Sequence, residues 1–195
     1  MPKLLEYELG NEVHAFSTMR AAGQSQDAYA HFNINPYCGD NPEHVAQNVN
    51  ALCHMLDIAP NNLVLPHQTH ETTVRLVASE LLSMPQMVRQ MVLEGVDALI
   101  TNVPGVCIGV STADCIPIIL YDAEHRATAA IHAGWRGTVK RIAQNAIIQM
   151  RAAFDTNPQS LRAVIAPGIS LQNFEVGNEV YEAFAKAAFP MNDIA

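Results

Sequence analysis

Two short apolar runs separated by a polar segment constrain this chain of 195 residues more than any other feature. The first run spans residues 116–121, the second spans residues 127–131, and the polar residues 122–125 followed by Arg126 separate them. Both runs are rich in residues that favour strands, and runs of this kind joined by a short polar segment are typical of an antiparallel hairpin. We therefore predict a β-hairpin at the centre of the fold.

The register of this hairpin decides which side chains face each other. If residues 122–125 form a four-residue turn, Tyr121 pairs with Arg126, and continuing the register places Cys115 opposite His132. Facing residues on antiparallel strands have Cβ atoms about 5 Å apart. A cysteine and a histidine at that separation can bind one metal ion, although Pro117 removes one donor from the ladder and can disturb the register.

A third metal ligand is predicted where another strand stops. Residues 63–65 form a short predicted strand that ends at Pro66, and His67 and His70 follow before the next predicted strand, residues 72–77. His70 at this strand break can complete a set with Cys115 and His132. Two histidines and one cysteine leave a fourth zinc position open, which is typical of a catalytic zinc site. The alternative is that these residues are packed or hydrogen-bonded, with Cys115 as a small buried apolar group.

Three further polar residues near these ligands have several possible roles. Three roles are open for Asp114: a general base, a hydrogen-bond acceptor for a metal ligand, or the cap of a turn. The same alternatives apply to Asp97, for which residue preference favours the cap. His67 is predicted either to orient His70 or to act on a substrate proton.

An anion site is predicted directly after the hairpin. Residues 133–137 are expected to form a tight turn, and Thr138 is expected to cap the helix that follows. Arg136 then lies near the amide groups of a helix N-terminus, a location that favours phosphate.

The remaining elements alternate between helix and strand. Helices are predicted at residues 41–57, 81–93 and 178–188, and strands at residues 13–18 and 162–166. Irregular structure is expected at residues 20–26. This alternation, with at least one hairpin, predicts an α/β or α+β fold with a mixed sheet.

Composition excludes several classes of protein. A formal net charge of -8 argues against a sequence-independent nucleic-acid binder. The N-terminus has no apolar run, and no segment has the roughly 20 apolar residues of a membrane span. The four cysteines form no Cys-x-x-Cys pair, which predicts reduced thiols and a cytoplasmic protein. A monomer and a homodimer both remain open.

Five segments together resemble the motifs of the YfiH-like family. The resemblance covers most of the chain in the family's order, and it is carried by His67-Gln68-Thr69-His70, Asp97-Ala98-Leu99-Ile100-Thr101, Thr112-Ala113-Asp114-Cys115, His132-Ala133-Gly134-Trp135-Arg136-Gly137 and Ala166-Pro167-Gly168-Ile169. Members of this family have been called multicopper polyphenol oxidases, laccase-domain proteins and purine nucleoside phosphorylases.

The resemblance implies both a fold and an activity. It implies a single domain over residues 1–195 with four layers in the order α/β/β/α, and a zinc ion bound at His70, Cys115 and His132. The implied activities are phosphorolysis of adenosine, inosine and methylthioadenosine, and deamination of adenosine. Zinc would activate water for attack on the purine, and Arg136 would hold phosphate. Ser17 and Arg20 match an N-terminal Ser-x-x-Arg loop of the family and are candidates for the same pocket.

One departure from the family concerns the C-terminus. Members usually continue past the helix at residues 178–188 into a segment with a Cys-Thr pair and an Arg-Arg element, and this sequence ends at Ala195. We therefore expect reduced activity where that segment supplies site residues. A non-catalytic nucleoside-binding protein is one alternative function.

A copper-dependent polyphenol oxidase is the other alternative, because two histidines and one cysteine are also blue-copper ligands. A laccase needs a further copper cluster held by many histidines, largely in His-x-His pairs. This chain has 8 histidines and no His-x-His pair. We therefore predict that it is not an authentic laccase.

Overall fold

A computed structural model describes residues 1–194. Its nine strands are β1 (Leu4–Tyr7), β2 (Ala15–Thr18), β3 (Leu63–Val64), β4 (Val74–Leu76), β5 (Ala98–Thr101), β6 (Cys107–Ile108), β7 (Ile116–Asp122), β8 (Ala127–Ala133) and β9 (Arg162–Ile165). The α-helices are α1 (Pro42–Leu56), α2 (Ser79–Ser83), α3 (Gln86–Val92), α4 (Trp135–Val139), α5 (Ile142–Phe154), α6 (Asn178–Lys186) and α7 (Met191–Ile194).

The largest sheet has five strands in the order β4-β5-β8-β7-β9. Strands β4 and β5 are parallel, and the other neighbours are antiparallel, so the sheet is mixed as predicted. The predicted hairpin is its centre, formed by β7 and β8. Two smaller sheets, β1-β2 and β3-β6, complete the strand pairing.

These elements stack in four layers. Helix α5 packs through Ala146 and Met150 on the face of the large sheet that carries Ile131. On the opposite face, Tyr121 of β7 packs against Ala15 of β2. Helix α1 packs on the small sheets from outside, where Leu52 shares a cluster with buried Leu63 of β3 and with partly buried apolar residues of β1, β2 and β6. The α/β/β/α arrangement implied by the resemblance is thus confirmed.

Local chemistry explains where helix α1 begins and ends. The Asn41 side chain accepts a hydrogen bond from the Glu43 amide at 2.9 Å, and Pro42 occupies the first helical position, where a missing N–H costs nothing. Asp57 ends the helix in the left-handed conformation. The predicted helix at residues 81–93 is wrong as a single element, because Pro85 separates α2 from α3 and cannot donate a helical hydrogen bond.

The predicted hairpin register is wrong by two residues. Asp122 pairs with Ala127, so the turn spans residues 123–126 instead of 122–125. The buried Asp122 carboxylate accepts the amides of Glu124 and His125 at 3.0 and 3.3 Å, which sets the turn one residue later. His132 therefore pairs with Pro117, and Cys115 lies just before β7, level with Gly134.

No helix within residues 1–194 combines the length and the apolar composition that a membrane span requires. All four cysteines are free thiols, as predicted.

Candidate metal centre

The predicted ligand trio comes together in the structure. The ligand atoms of His70, Cys115 and His132 all lie within 4.8 Å of one another. The two-residue change in register does not separate them, because side chains on a strand alternate with a period of two, so that a slip of two residues keeps the same face. Cys115 and His132 become diagonal neighbours instead of facing residues, still within reach of each other.

His132 is the most rigidly oriented of the three. Its side chain is 3% exposed, and its Nδ1 lies 2.7 Å from Oδ1 of Asp97. The Asp97 side chain is itself fully buried. Its backbone amide donates to the Asp97 carbonyl at 2.8 Å. A carboxylate that accepts Nδ1–H fixes the histidine tautomer and leaves Nε2 free to bind a metal.

Asp97 also shapes the loop that carries His70. Its carboxylate accepts the backbone amides of Thr69, His70 and Glu71 at 3.2, 3.0 and 2.9 Å. These bonds hold His70 at a φ of 63°, in the left-handed region that non-glycine residues seldom adopt. The capping role favoured for Asp97 is therefore confirmed, and the same carboxylate also orients His132.

The pKa values in this region reflect burial and charge. Burial alone raises the pKa of Asp97, but the hydrogen bonds from His132, Glu71 and Thr69 outweigh it and leave that pKa below its ordinary value. Burial, with the charges of Asp114 and Asp97, raises the pKa of the Cys115 thiol. At neutral pH and without a metal, the Cys115 thiol is therefore protonated. A metal that binds its sulfur must displace this proton.

Gln68 ties the loop of His70 to the loop that leads to Cys115. Its Nε2 donates to the Ser111 carbonyl at 2.8 Å, and its Oε1 accepts the Ser111 amide at 2.7 Å. This reciprocal pair fixes the distance between the two loops. No local sequence pattern predicts this role, because Gln68 and Ser111 are 43 residues apart.

The residues fit a bound metal ion. Two imidazoles and one thiol are the donor set of zinc or copper sites. Gly134 leaves room beside them, since a Cβ atom there would lie 3.1 Å from both Cys115 Sγ and His70 Cδ2. The rings of His70 and His132 stand edge to face, with centroids 4.8 Å apart.

A cavity of about 1720 Å³ opens onto the trio. Two residues predicted for the site, Asp97 and Arg136, do not line it. The lining includes the other predicted residues, which are Ser17, Arg20, His67, His70, Asp114, Cys115 and His132. Its volume exceeds the roughly 300–1,000 Å³ of an ordinary ligand pocket.

The remaining predicted site residues lie in different settings. Asp114 is exposed in the bend before β7. The Ser17 hydroxyl accepts a hydrogen bond from Tyr7 at 2.9 Å, and the Arg20 guanidinium donates to the Ala30 carbonyl through Nε at 3.0 Å and Nη2 at 2.6 Å. His67 contacts Glu94 through Nδ1, and this partner had not been predicted.

Arg136 lies outside the cavity lining. Helix α4 begins directly after Gly134, so Thr138 is inside it and the predicted cap at Thr138 is wrong. The Arg136 guanidinium lies 4.2 Å from the centre of the Trp135 ring. A role for Arg136 in holding phosphate stays a prediction.

This chain matches a known protein family over most of its length and has relatives with names. The sequence model of the family described as multi-copper polyphenol oxidoreductase laccase matches residues 14–194. A protein of Bacteroides thetaiotaomicron named purine nucleoside phosphorylase is 47% identical over 185 residues, which are 95% of this chain and 68% of that protein. Adenosine deaminase RL5, from an unknown prokaryotic organism, is 40% identical over 182 residues, covering 93% of this chain and 69% of its own length.

A solved structure has the same fold. The Bacillus licheniformis hypothetical protein YfiH superposes with a TM-score of 0.88 at 26% sequence identity, covering 99% of this chain and 72% of that one. The chain thus spans between two thirds and three quarters of the length of these relatives.

Proposed function

We propose that this chain, which belongs to the YfiH family of multi-copper polyphenol oxidoreductase laccase proteins, is a zinc-dependent enzyme acting on purine nucleosides. The observation that carries the proposal is the trio of His70, Cys115 and His132 at the wall of a cavity large enough for a nucleoside and phosphate. The names of two relatives, purine nucleoside phosphorylase and adenosine deaminase, support the substrate class.

Each residue around the metal ligands has its own proposed role. Asp97 orients His132, and Gln68 keeps the loops of the other two ligands together. When bound, zinc supplies a Lewis acid that polarises an oxygen and lowers the pKa of water. Arg20 is a cation of the cavity wall, and Arg136 is the second candidate for phosphate. We place the purine nucleoside between this wall and the metal ligands.

The number of ligand groups favours a single metal centre over the several copper sites of a laccase. The family's description favours a copper polyphenol oxidase as the second candidate. Within residues 1–194, His70, Cys115 and His132 are the one group of three or more potential ligands close enough to hold a metal. A laccase needs a further copper cluster, and the structure brings together no second group of this kind in that range. We therefore propose a single zinc centre.

Product identification tests the proposed function. We expect zinc-loaded protein incubated with adenosine and phosphate to yield adenine and ribose-1-phosphate by phosphorolysis, or inosine by deamination. Omitting phosphate separates the two, since only deamination continues without it. Chromatography with mass spectrometry measures the products, and protein treated with a chelator is the control.

Three results of this assay would count against the proposal. Nucleoside binding without any product would favour the non-catalytic alternative. Oxidation of a phenol by copper-loaded protein, with no nucleoside product, would favour the polyphenol oxidase. Equal turnover in the chelated control would show that the metal is not needed.

A further inference from the structure

His67 lines the same cavity as the metal ligands and pairs with a carboxylate. His67 Nδ1 lies 2.9 and 2.8 Å from the two oxygens of Glu94. The backbone reinforces the pair, because the His67 amide donates to the Leu93 carbonyl at 3.0 Å and the Gly95 amide donates to the His67 carbonyl at 2.9 Å. The imidazole is therefore held in one orientation by both its ring and its backbone.

The pair presents an imidazole to the cavity. The His67 side chain is 37% exposed and lines the cavity, whereas Glu94 is not part of the lining. Because Nδ1 is taken by Glu94, Nε2 is the nitrogen left for a ligand, and it makes no hydrogen bond with residues 1–194. This is the arrangement in which a carboxylate fixes a histidine for proton transfer at Nε2.

His67 and His132 differ in their access to the cavity, and we therefore assign them different roles. Both pair with a carboxylate through Nδ1, but His132 is buried among the metal ligands, whereas His67 is outside the trio and open to the cavity. The arrangement of His67 suits a group that exchanges protons with a substrate, because such a group needs access to the substrate.

Tyr37 supports the His67 ring from one face. The two rings are stacked with centroids 4.5 Å apart and planes 21° apart. Burial, with the charge of Glu94, raises the pKa of Tyr37, so this neighbour stays an uncharged phenol. Tyr37 thus covers one face of the imidazole, and Glu94 binds its Nδ1 edge. The Nε2 edge is left to contact a substrate.

We propose that His67 is the acid that protonates the departing purine during phosphorolysis. This inference rests on the proposed function and names the group that handles the proton. Glu94 accepts Nδ1–H and fixes the orientation of the ring, and the proton on Nε2 is the one transferred.

The step balances in atoms and charge. A phosphate oxygen forms a bond to C1′ of the ribose, and the C1′–N9 bond breaks with its electron pair passing into the purine ring. The Nε2 proton of the His67 imidazolium moves to N7 of the purine. Neutral His67 then takes the proton that hydrogen phosphate releases as it becomes the sugar phosphate, which restores the imidazolium.

A nucleoside that needs no proton tests this assignment. In 7-methylinosine the purine ring already carries a positive charge, so its base departs without protonation. We expect His67→Gln to reduce kcat for inosine by about 10²- to 10⁴-fold, the usual contribution of a general acid. We expect kcat for 7-methylinosine to change by less than about tenfold, because that contribution is not needed there.

Three controls accompany this measurement. Zinc content of His67→Gln should equal that of the unmodified protein, since His67 is outside the ligand trio. His54→Gln, an exposed position on α1, should leave both substrates unaffected. Glu94→Gln should reduce inosine turnover while sparing 7-methylinosine, because it weakens the hydrogen bond that orients the His67 ring without removing the imidazole.

Each other outcome contradicts the inference in a distinct way. An equal loss with both nucleosides would make His67 a structural or binding residue, and no loss with inosine would remove it from the reaction. Unmodified protein that deaminates adenosine but acts on neither inosine nor 7-methylinosine would overturn the inference alone. Unmodified protein that acts on none of the three nucleosides would contradict the proposed function as well.

Discussion

Replacing Cys115 by serine is expected to abolish stoichiometric zinc binding and nucleoside turnover while the protein still melts in one cooperative transition. A neutral hydroxyl is a much poorer zinc ligand than a thiolate. The fold should survive, because Cys115 is only half-buried and lies outside the apolar clusters that join the layers. Zinc content by mass spectrometry, a thermal melt and the nucleoside assay measure the three properties.

Cys53→Ser is the matched control for this variant. Cys53 is 1% exposed in the cluster under α1, so a serine hydroxyl there is buried among apolar groups and should lower Tm. It should keep zinc and turnover. Cys115→Ser that still binds one zinc per chain would contradict the ligand assignment.

The second large effect is expected at Asp97, which joins the metal centre to the fold. Asp97→Asn keeps the shape of the side chain but turns one of its oxygens into an N–H₂ group that faces hydrogen-bond donors. Four donors converge on this carboxylate, from His132 and the amides of residues 69–71. Because bonds to a buried charged acceptor are strong, we expect the free energy of unfolding to fall by about 3 kcal/mol.

The same substitution should weaken zinc binding by about 10- to 100-fold, the usual effect of removing the partner of a ligand histidine. Urea unfolding measures the stability and competition with a chelator measures the affinity. Asp57→Asn is the control, because Asp57 is an exposed helix C-cap in the left-handed conformation, which asparagine also adopts. Equal stability and zinc affinity for Asp97→Asn and the unmodified protein would contradict this role.

The contribution of Asp97 to the stability of the fold should be larger at neutral pH than in acid. Because the pKa of Asp97 in the folded protein is lowered, ionised Asp97 stabilises the fold at pH values above the unfolded pKa of about 4. That contribution is lost as pH falls through the lowered folded pKa. The stability difference between the protein and Asp97→Asn should therefore be full at neutral pH and shrink in strong acid.

The sequence predicted the parts of this structure that depend on local patterns. The hairpin followed from two apolar runs, and helix α1 followed from Asn41 and Pro42. The ligand trio was also found, even though the register was wrong, because an error of two residues preserves the face of a strand. An error of one residue would have placed Cys115 and His132 on opposite faces.

Contacts between distant loops could not be predicted in this way. Asp97 and His132 are 35 residues apart, and His67 and Glu94 are 27 apart, with no local pattern that links the members of either pair. The start of α4 was missed for a different reason. Gly134 begins it without any side-chain cap, so the usual sequence signal for a helix start is absent.

X-ray absorption at the zinc edge of protein purified without added metal would identify the ion and its ligand atoms. We expect one zinc per chain, with one sulfur at about 2.3 Å and nitrogen or oxygen neighbours at about 2.0–2.1 Å. The sulfur contribution should be absent from any residual zinc in Cys115→Ser. A metal shell of nitrogen and oxygen alone in the unmodified protein, or copper in place of zinc, would contradict a zinc centre built from His70, Cys115 and His132.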